Sequence, residues 1–397
     1  MALFRTPELR SDEREVIELI ARLRDDLGGR IAEPRRWSGS LRRMAFARAV
    51  QGSNSIEGYN ASLDDVAAVV EDEATIEAGE ETQKALAGYR DAMTYVLQVA
   101  GDPHFVVDAG VLKALHFMMM RDRLDKNPGV WRKGEIYVRN DDSGEVVYEG
   151  PDAELVPGLI DELIESATKG DYPDIDGEIL VPAAMAHLNL VMIHPFSDGN
   201  GRMARCLQTL LLAREDIIAP IFSSIEEFLG RNTPAYYDVL AEVGRGSWNP
   251  RRDARPWLRF CLRAHYIQIQ TVLRRRVEAE KLWLACQELA EDRGLPERVT
   301  AGMVAAAYGL RVRRSAYRSE VMESTGEEIA DLTASRDLRS LVDAGLLEPI
   351  GERRTRYYVA SDSVKAVRER IRVDRPPPAE SDPFERARSG RQLKLPT

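Results

Sequence analysis

Residues 180–205, LVPAAMAHLNLVMIHPFSDGNGRMAR, decide how this chain is organised. From Leu180 to Ile193 the residues form an apolar helix expected to be buried on most sides. Pro195 ends it. A residue before proline is pushed out of the helical region, which places the His194 imidazole at a helix-to-loop junction. From Arg202 the helical period resumes, with Met203, Cys206, Leu207, Leu210 and Leu211 at i, i+3, i+4, i+7 and i+8. The segment between is therefore a loop joining two core helices.

Asp198-Gly199-Asn200-Gly201 stands directly ahead of the second helix, so its backbone N–H groups and the helix N-terminus converge on a point suited to an anion. Glycines at 199 and 201 open backbone conformations closed to other residues and let a phosphate approach with no Cβ in the way. Arg202 and Arg205, three apart in the first turn, add guanidinium forks on neighbouring parts of one face. A polyphosphate also needs a divalent cation, and Asp198 is the candidate Mg²⁺ ligand. His194, with an unperturbed pKa near ~6.5, suits removal of a proton from an attacking hydroxyl near neutral pH. Together these groups describe phosphoryl or nucleotidyl transfer. Taken singly they say less: DGNG is a common turn, and a lone histidine at a helix end is usually structural. An EF-hand calcium loop starting at Asp198 is excluded, because its twelfth position is Thr209 and not an acidic residue.

The run HPFSDGNGRMAR resembles, at all eight defining positions, the Fic family motif H-x-F-x-D/E-G-N-G-R-x-x-R. The resemblance implies a protein adenylyltransferase that moves AMP from ATP to a Ser, Thr or Tyr hydroxyl of a target protein and releases pyrophosphate. It implies His194 as general base, Asp198 holding Mg²⁺ against the α- and β-phosphates, and Gly199, Asn200 and Gly201 as the anion nest. Phe196 would anchor the loop in the core, Arg202 would contact the β-phosphate region, and Arg205 would clamp the γ-phosphate. Upstream, Ser53-Asn54-Ser55-Ile56-Glu57-Gly58 is similar to the family's inhibitory helix, S/T-x-x-x-E-G/N. Glu57 is then expected to pair with Arg205 and leave ATP bound unproductively. Ile136 to Glu149, with β-favouring residues on both sides of Asp141-Asp142-Ser143-Gly144, reads as a hairpin. It lies where Fic proteins carry the flap that docks a target segment by strand addition. Tyr236 and Tyr237 resemble the family's paired nucleoside-pocket tyrosines, although the amide that often follows seven positions later is here Gly244. ATP and Mg²⁺ are the expected substrate and cofactor. Alternatives are removal of AMP or transfer of another phosphate-linked group, and a nucleotide-sensing, DNA-binding transcription regulator.

The remaining sequence sets the fold expected around this core: mainly α, a Fic-type helical core with a β-hairpin flap, and a small C-terminal winged-helix domain. At 397 residues the chain exceeds what one hydrophobic core usually organises. Residues 1–105 read as a helical N-terminal region broken at Gly-containing turns such as Gly52 and Gly58, with the inhibitory helix near 53–58. Residues 106–250 hold the catalytic core and 251–292 connecting helices. Over 293–362, short helices, TASRDLRSLVDAGLL and the strand pair LLEPIG and RYYVAS resemble a winged helix-turn-helix. Its Arg311, Arg313, Arg314, Arg318, Arg336, Arg339, Arg353, Arg354 and Arg356 offer phosphate contacts to DNA. The net charge of -10 argues against the whole molecule being a nucleic-acid binder, so DNA is not the favoured partner. Proline and charge make 363–397 an expected disordered tail. Cys206, Cys261 and Cys286 sit in apolar helical patterns and read as reduced packing residues. No stretch of about 18 apolar residues occurs and the first residues are charged, which fits a cytoplasmic protein with no membrane partner. The expected partners are the target protein on the flap and, as a further option, a second copy of the chain.

Overall fold

The computed structural model describes residues 3–31, 36–73, 77–139, 144–169, 178–214, 220–352, 356–373 and 382–385. The N-terminal region is built from α1 (Ser11–Ile31), α2 (Ser38–Ile56), α3 (Leu63–Val70) and α4 (Glu80–Val99). α3 starts where the Ser62 side chain accepts from the Asp65 N–H, with Asp64 and Asp65 favouring the positive end of the helix. Next come α5 (Ala109–Met120), the strands β1 (Tyr137–Arg139) and β2 (Val146–Glu149), α6 (Val156–Lys169), α7 (Leu180–Ile193) and α8 (Asn200–Ala213). α9 (Glu226–Arg231), α10 (Thr233–Gly244) and β3 (Gly246–Ser247) complete the central part.

α7 and α8 form the innermost hairpin. α7 is apolar apart from His187 and Asn189 and is buried along nearly its whole length, and every residue of α8 except Gly201 is buried. Each fully buried Leu or Met of this pair contributes about 1.5–3 kcal/mol by leaving water. The loop between them is therefore held on two rigid arms.

Gly52 is not a turn, contrary to the sequence expectation. It lies inside α2, where a Cβ would collide with the Glu226 carbonyl oxygen, and a Cβ at Gly230 of α9 would stand 2.6 Å from the Gly52 Cα. The pair of glycines lets the two helix backbones touch, which a break in α2 would not require. Gly58, at φ +84°, is the real turn.

The sheet order is β1-β2-β3, with β1 antiparallel to β2 and β2 parallel to the short β3. The hairpin is thus paired on one side, and β1 is its free edge. Asp141, Asp142 and Ser143 of the expected turn lie outside the described residues.

The expected connecting helices are one helix, α11 (Arg255–Glu291), 37 residues and about 55 Å long. It packs on α1, α7 and α10 and, toward its far end, on the C-terminal module. That module comprises α12 (Val299–Ala307), α13 (Arg314–Thr325), α14 (Asp331–Asp343), the hairpin β4 (Leu347–Ile350) and β5 (Tyr357–Ala360), and α15 (Asp362–Val373). β4 and β5 pair antiparallel, and Val312 bridges to Tyr358. The disordered tail expected from 363 onward is corrected for 363–373, which form most of α15. A stripe of Val364, Val367 and Ile371, hidden in a charge-rich segment, packs against the core. Cys206, Cys261 and Cys286 are buried and form no disulfide. Among the described residues, no helix is long and apolar enough to cross a membrane.

The Gly52 contact yields a stability prediction. Gly52→Ala forces α2 and α9 apart and lowers the free energy of unfolding by about 1–3 kcal/mol in a urea titration. An unchanged midpoint would contradict the close packing.

Candidate active site

The chain leaves α7 through His194, which adopts a left-handed conformation (φ 51°, ψ 59°) instead of the extended one that a following proline usually imposes. This bend is over-determined. The His194 N–H donates to the Leu190 carbonyl at 3.0 Å, and its ring Nδ1 lies 2.8 Å from the Val191 carbonyl. Because a carbonyl only accepts, Nδ1 carries the proton and Nε2 is left as the basic atom. Burial lowers the pKa of His194, with the Val191 bond acting in the opposite direction, so the neutral ring is favoured.

Arg132, which sequence reasoning missed, supports the bend from outside. Its Nε donates to the His194 carbonyl at 2.8 Å, its own N–H donates to the Pro195 carbonyl at 2.9 Å, and its Nη atoms reach Gly134 and Pro151. A single guanidinium therefore ties the loop to both ends of the flap. No motif in the sequence marks this role.

Phe196 is fully buried, as an anchor should be, and stacks on His116 at 3.6 Å between ring centres, with Trp131 beside it. His116 accepts from the Gly129 N–H through Nδ1 at 2.8 Å, which puts its proton on Nε2, 3.0 Å from the Asp198 carbonyl. Burial pushes the His116 pKa down to about 4 and keeps the ring neutral. Sequence reasoning did not single out His116. Asn200 closes the loop: its Oδ1 accepts from the Phe196 N–H at 2.9 Å and its Nδ2 donates to the Phe196 carbonyl at 3.0 Å. Its side chain is thus a staple, where only its backbone was expected to matter.

Gly199 sits at φ +74° with Met120 and His116 close behind its Cα. The Asp198 carboxylate accepts from the Gly199 N–H at 2.6 Å and is partly exposed at the mouth of the loop. Gly201 is more telling. A Cβ there would stand 2.6 Å from Oε1 of Glu57 and 3.1 Å from Nη1 of Arg205. The glycine that would admit an anion to the start of α8 admits a carboxylate of the chain itself.

Arg205 is 1% exposed. Its Nε donates to the Ser53 hydroxyl at 2.7 Å, and its Nη2 donates to the Ser53 carbonyl at 3.0 Å and to Glu57 at 2.7 Å. Nη1 is buried, and no hydrogen bond of good geometry reaches it among the described residues. Burial alone would raise the Glu57 pKa; Arg205 and then Arg202 more than offset it and hold the carboxyl below its usual value. Arg202 turns the other way, with Nη2 2.9 Å from the Met120 sulfur and its guanidinium over the Tyr59 ring. It borders a cavity of about 380 Å³ shared with Glu80, Lys84 and Arg123. The two arginines leave one helical turn and diverge.

The tyrosine pair is split. Tyr236 is 1% exposed, its hydroxyl 3.0 Å from His187, so it offers no face to a ligand here, contrary to the expectation of a nucleoside-pocket residue. Tyr237 is half exposed, and its hydroxyl donates to the Ile56 carbonyl at the end of α2. At Gly244, where the family's amide is missing, a Cβ would come within 3.2 Å of Tyr148 and 3.3 Å of Met192. The flap base packs too tightly there for a longer side chain.

A family model described as Fic/DOC matches residues 106–212. The protein adenylyltransferase Fic of Nematostella vectensis is 26% identical over 261 residues, 65% of this chain and 55% of that protein. That of Aedes aegypti is 26% identical over 218 residues, 54% of this chain and 39% of that protein. The chain therefore spans about half or less of the length of these curated relatives. A solved Fic family protein from Desulfovibrio desulfuricans G20 superposes with a TM-score of 0.56 at 22% identity, over 90% of this chain and 98% of that one. That likeness speaks to the fold, and its coverage includes the C-terminal part.

The Asn200 staple can be tested directly. Asn200→Ala leaves the buried Phe196 N–H and carbonyl unmatched and costs about 2–4 kcal/mol of stability by urea unfolding. A loss below about 1 kcal/mol would show that the loop keeps its shape without the amide.

Proposed function

We propose, from the match of residues 106–212 to the Fic/DOC family model and from the geometry around Arg205, that the chain is a protein adenylyltransferase held inactive by Glu57. The observation that carries this reading is the position of the Glu57 carboxylate, over Gly201 and bonded to Arg205, where a phosphate group would be received.

In the proposed reaction, His194 Nε2 takes the proton of a Ser, Thr or Tyr hydroxyl of the target. The hydroxyl oxygen then attacks the ATP α-phosphorus, the bond to the β-phosphate bridge breaks, and pyrophosphate leaves. The residues fit this work. Among the described residues no side chain caps α8, so the N–H groups of its first turn would supply dipoles for the phosphate oxygens once Glu57 withdraws from Gly201. Asp198 would hold Mg²⁺, which is commonly bound by one or two carboxylates plus substrate phosphates and so needs no larger protein cage. Mg²⁺ would neutralise charge on the phosphates. Arg205 would take the γ-phosphate once Glu57 withdraws, and Ser53 would keep the guanidinium in place.

Tyr237, half exposed at the rim, would be the member of the tyrosine pair that touches the nucleoside. The free edge of β1 would receive the target segment as an added strand. The C-terminal helices and hairpin follow the order of a winged helix-turn-helix. A DNA-binding role for it is weakened by Arg311 and Arg313, which are already paired with acidic residues of the N-terminal region. Arg353 and Arg354 lie outside the described residues.

With α-labelled ATP, Glu57→Gly is expected to raise self-labelling at least about tenfold, and His194→Ala to abolish it. Equal labelling of wild type and Glu57→Gly would remove the inhibitory role.

Acid should not release the block. The depressed pKa of Glu57 means that its ionised form stabilises the closed state above the ordinary carboxylate value near ~4.3. That contribution fades only as pH falls through the lower folded value. The labelling ratio of wild type to Glu57→Gly therefore stays constant between about pH 5.5 and 8. A ratio that climbs tenfold on going to pH 5.5 would contradict the pairing.

A further inference from the structure

The basic residues that the sequence offered to DNA are partly spent inside the molecule. Arg311 reaches Asp64 at 2.7 Å and Glu77 at 3.0 Å, and Arg313 pairs with Glu73, which also accepts from the Ser315 hydroxyl at 2.7 Å. These contacts fasten the C-terminal module to α3 and the residues just after it.

A second set fastens it to α2. Glu320 of α13 accepts from the Ser40 hydroxyl at 2.8 Å and pairs with Arg43 at 2.9 Å. Arg43 also reaches Glu71 at 3.1 Å and Glu323 at 2.9 Å. Glu320 is 3% exposed, and burial pushes its pKa up to about 7 against the opposing pull of Arg43 and the Ser40 hydroxyl, so these two contacts hold a carboxyl that is only partly ionised near neutral pH. Gly39 permits the approach, since a Cβ there would collide with the Glu323 side chain at 2.7 Å. The start of α2 has little local support: its N-cap is Trp37, with no side-chain cap and no acidic residue in the first turn. Its early turns are therefore held by tertiary contacts.

The other end of α2 presents Ser53 and Glu57 to Arg205. Arg43 and Ser53 lie on one unbroken helix, about 15 Å apart along its axis, so displacement or rotation at one end is felt at the other.

We propose that the C-terminal module latches the inhibitory helix. Glu320 and Arg43, assisted by Arg311 and Arg313, are positioning residues that fix the rotation and height of α2 so that Glu57 meets Arg205. Displacing the module lets Glu57 withdraw, which makes it a control point for the transferase. This rests on the reading of Glu57 as inhibitor.

The test compares self-labelling of the full-length chain with α-labelled ATP. Glu320→Ala is expected to raise labelling about fivefold over wild type. In the Glu57→Gly background the same change should add nothing, because the latch acts only through Glu57. Should Glu320→Ala fail to fold, the more exposed Arg313→Glu gives the same rise, and Glu73→Arg added to it restores the block. Labelling of both latch variants equal to wild type overturns the latch, as does an effect of equal size with and without Glu57. A general loss of stability would instead lower labelling in both backgrounds. If Glu57→Gly itself stays silent, the inhibitory reading is what fails.

Discussion

A guanidinium enclosed among α8, α2 and α10 has to be met by oxygen, and Arg205 imposes that demand on everything around it. Ser53 meets it twice without using charge, and Glu57 supplies the charge. Breaking such a pair and leaving nothing in its place costs about 3–5 kcal/mol, so Glu57 would withdraw most readily where another anion can take its place. A phosphate satisfies that condition. The Ser53 bonds do not depend on Glu57, so Arg205 would keep its orientation through the proposed exchange. Missing side chains answer the same demand: Gly201 admits the anion, and Gly52 with Gly230 lets α2 approach closely enough to deliver it.

Much of this was legible because the motif residues act near one another in the chain. Two helices and the bend between them can be read from apolar periodicity and one proline, and the pattern around Glu57 named its partner across 148 positions. What escaped were roles set by packing across the fold. Gly52 looks like a turn in sequence, yet its function depends on Glu226 and Gly230, far away in the chain. Tyr236 and Tyr237 are chemically alike, and only the direction of α10 decides that one is core and the other rim. Composition made α15 look like tail, because three apolar residues among many charges suffice once α11 and α12 provide a surface.

α11 turns these local arrangements into one body. The Trp257 indole N–H donates to the Ala184 carbonyl of α7 at 2.7 Å, while Arg255 and Arg259 bind Glu13 and Asp12 of α1. Its far end carries α12 and α15. A module attached only by its own linker would move independently; this one is fixed through α11 and, separately, through the ion pairs on α2 and α3. Arginine-rich surfaces are easily read as nucleic-acid contacts from sequence, since the acidic partners lie some 240 positions away and share no periodicity with them.

The same economy appears at the flap. Arg132 donates to the carbonyl of His194, which must point its imidazole, and to the carbonyls of Gly134 and Pro151, where the strands of the flap begin and end. Each of those carbonyls has a fixed direction, and the guanidinium is planar, so moving one contact strains the others. On the proposed reading, a target strand added to β1 would pull on the flap and therefore on the bend that carries His194. Docking and proton removal would then be joined through one side chain, and His194, at a positive φ that other contacts must hold, would be the residue most sensitive to that tension. On this view the flap does more than present a hydroxyl: it helps to hold the base in the geometry in which Nε2 can receive the proton.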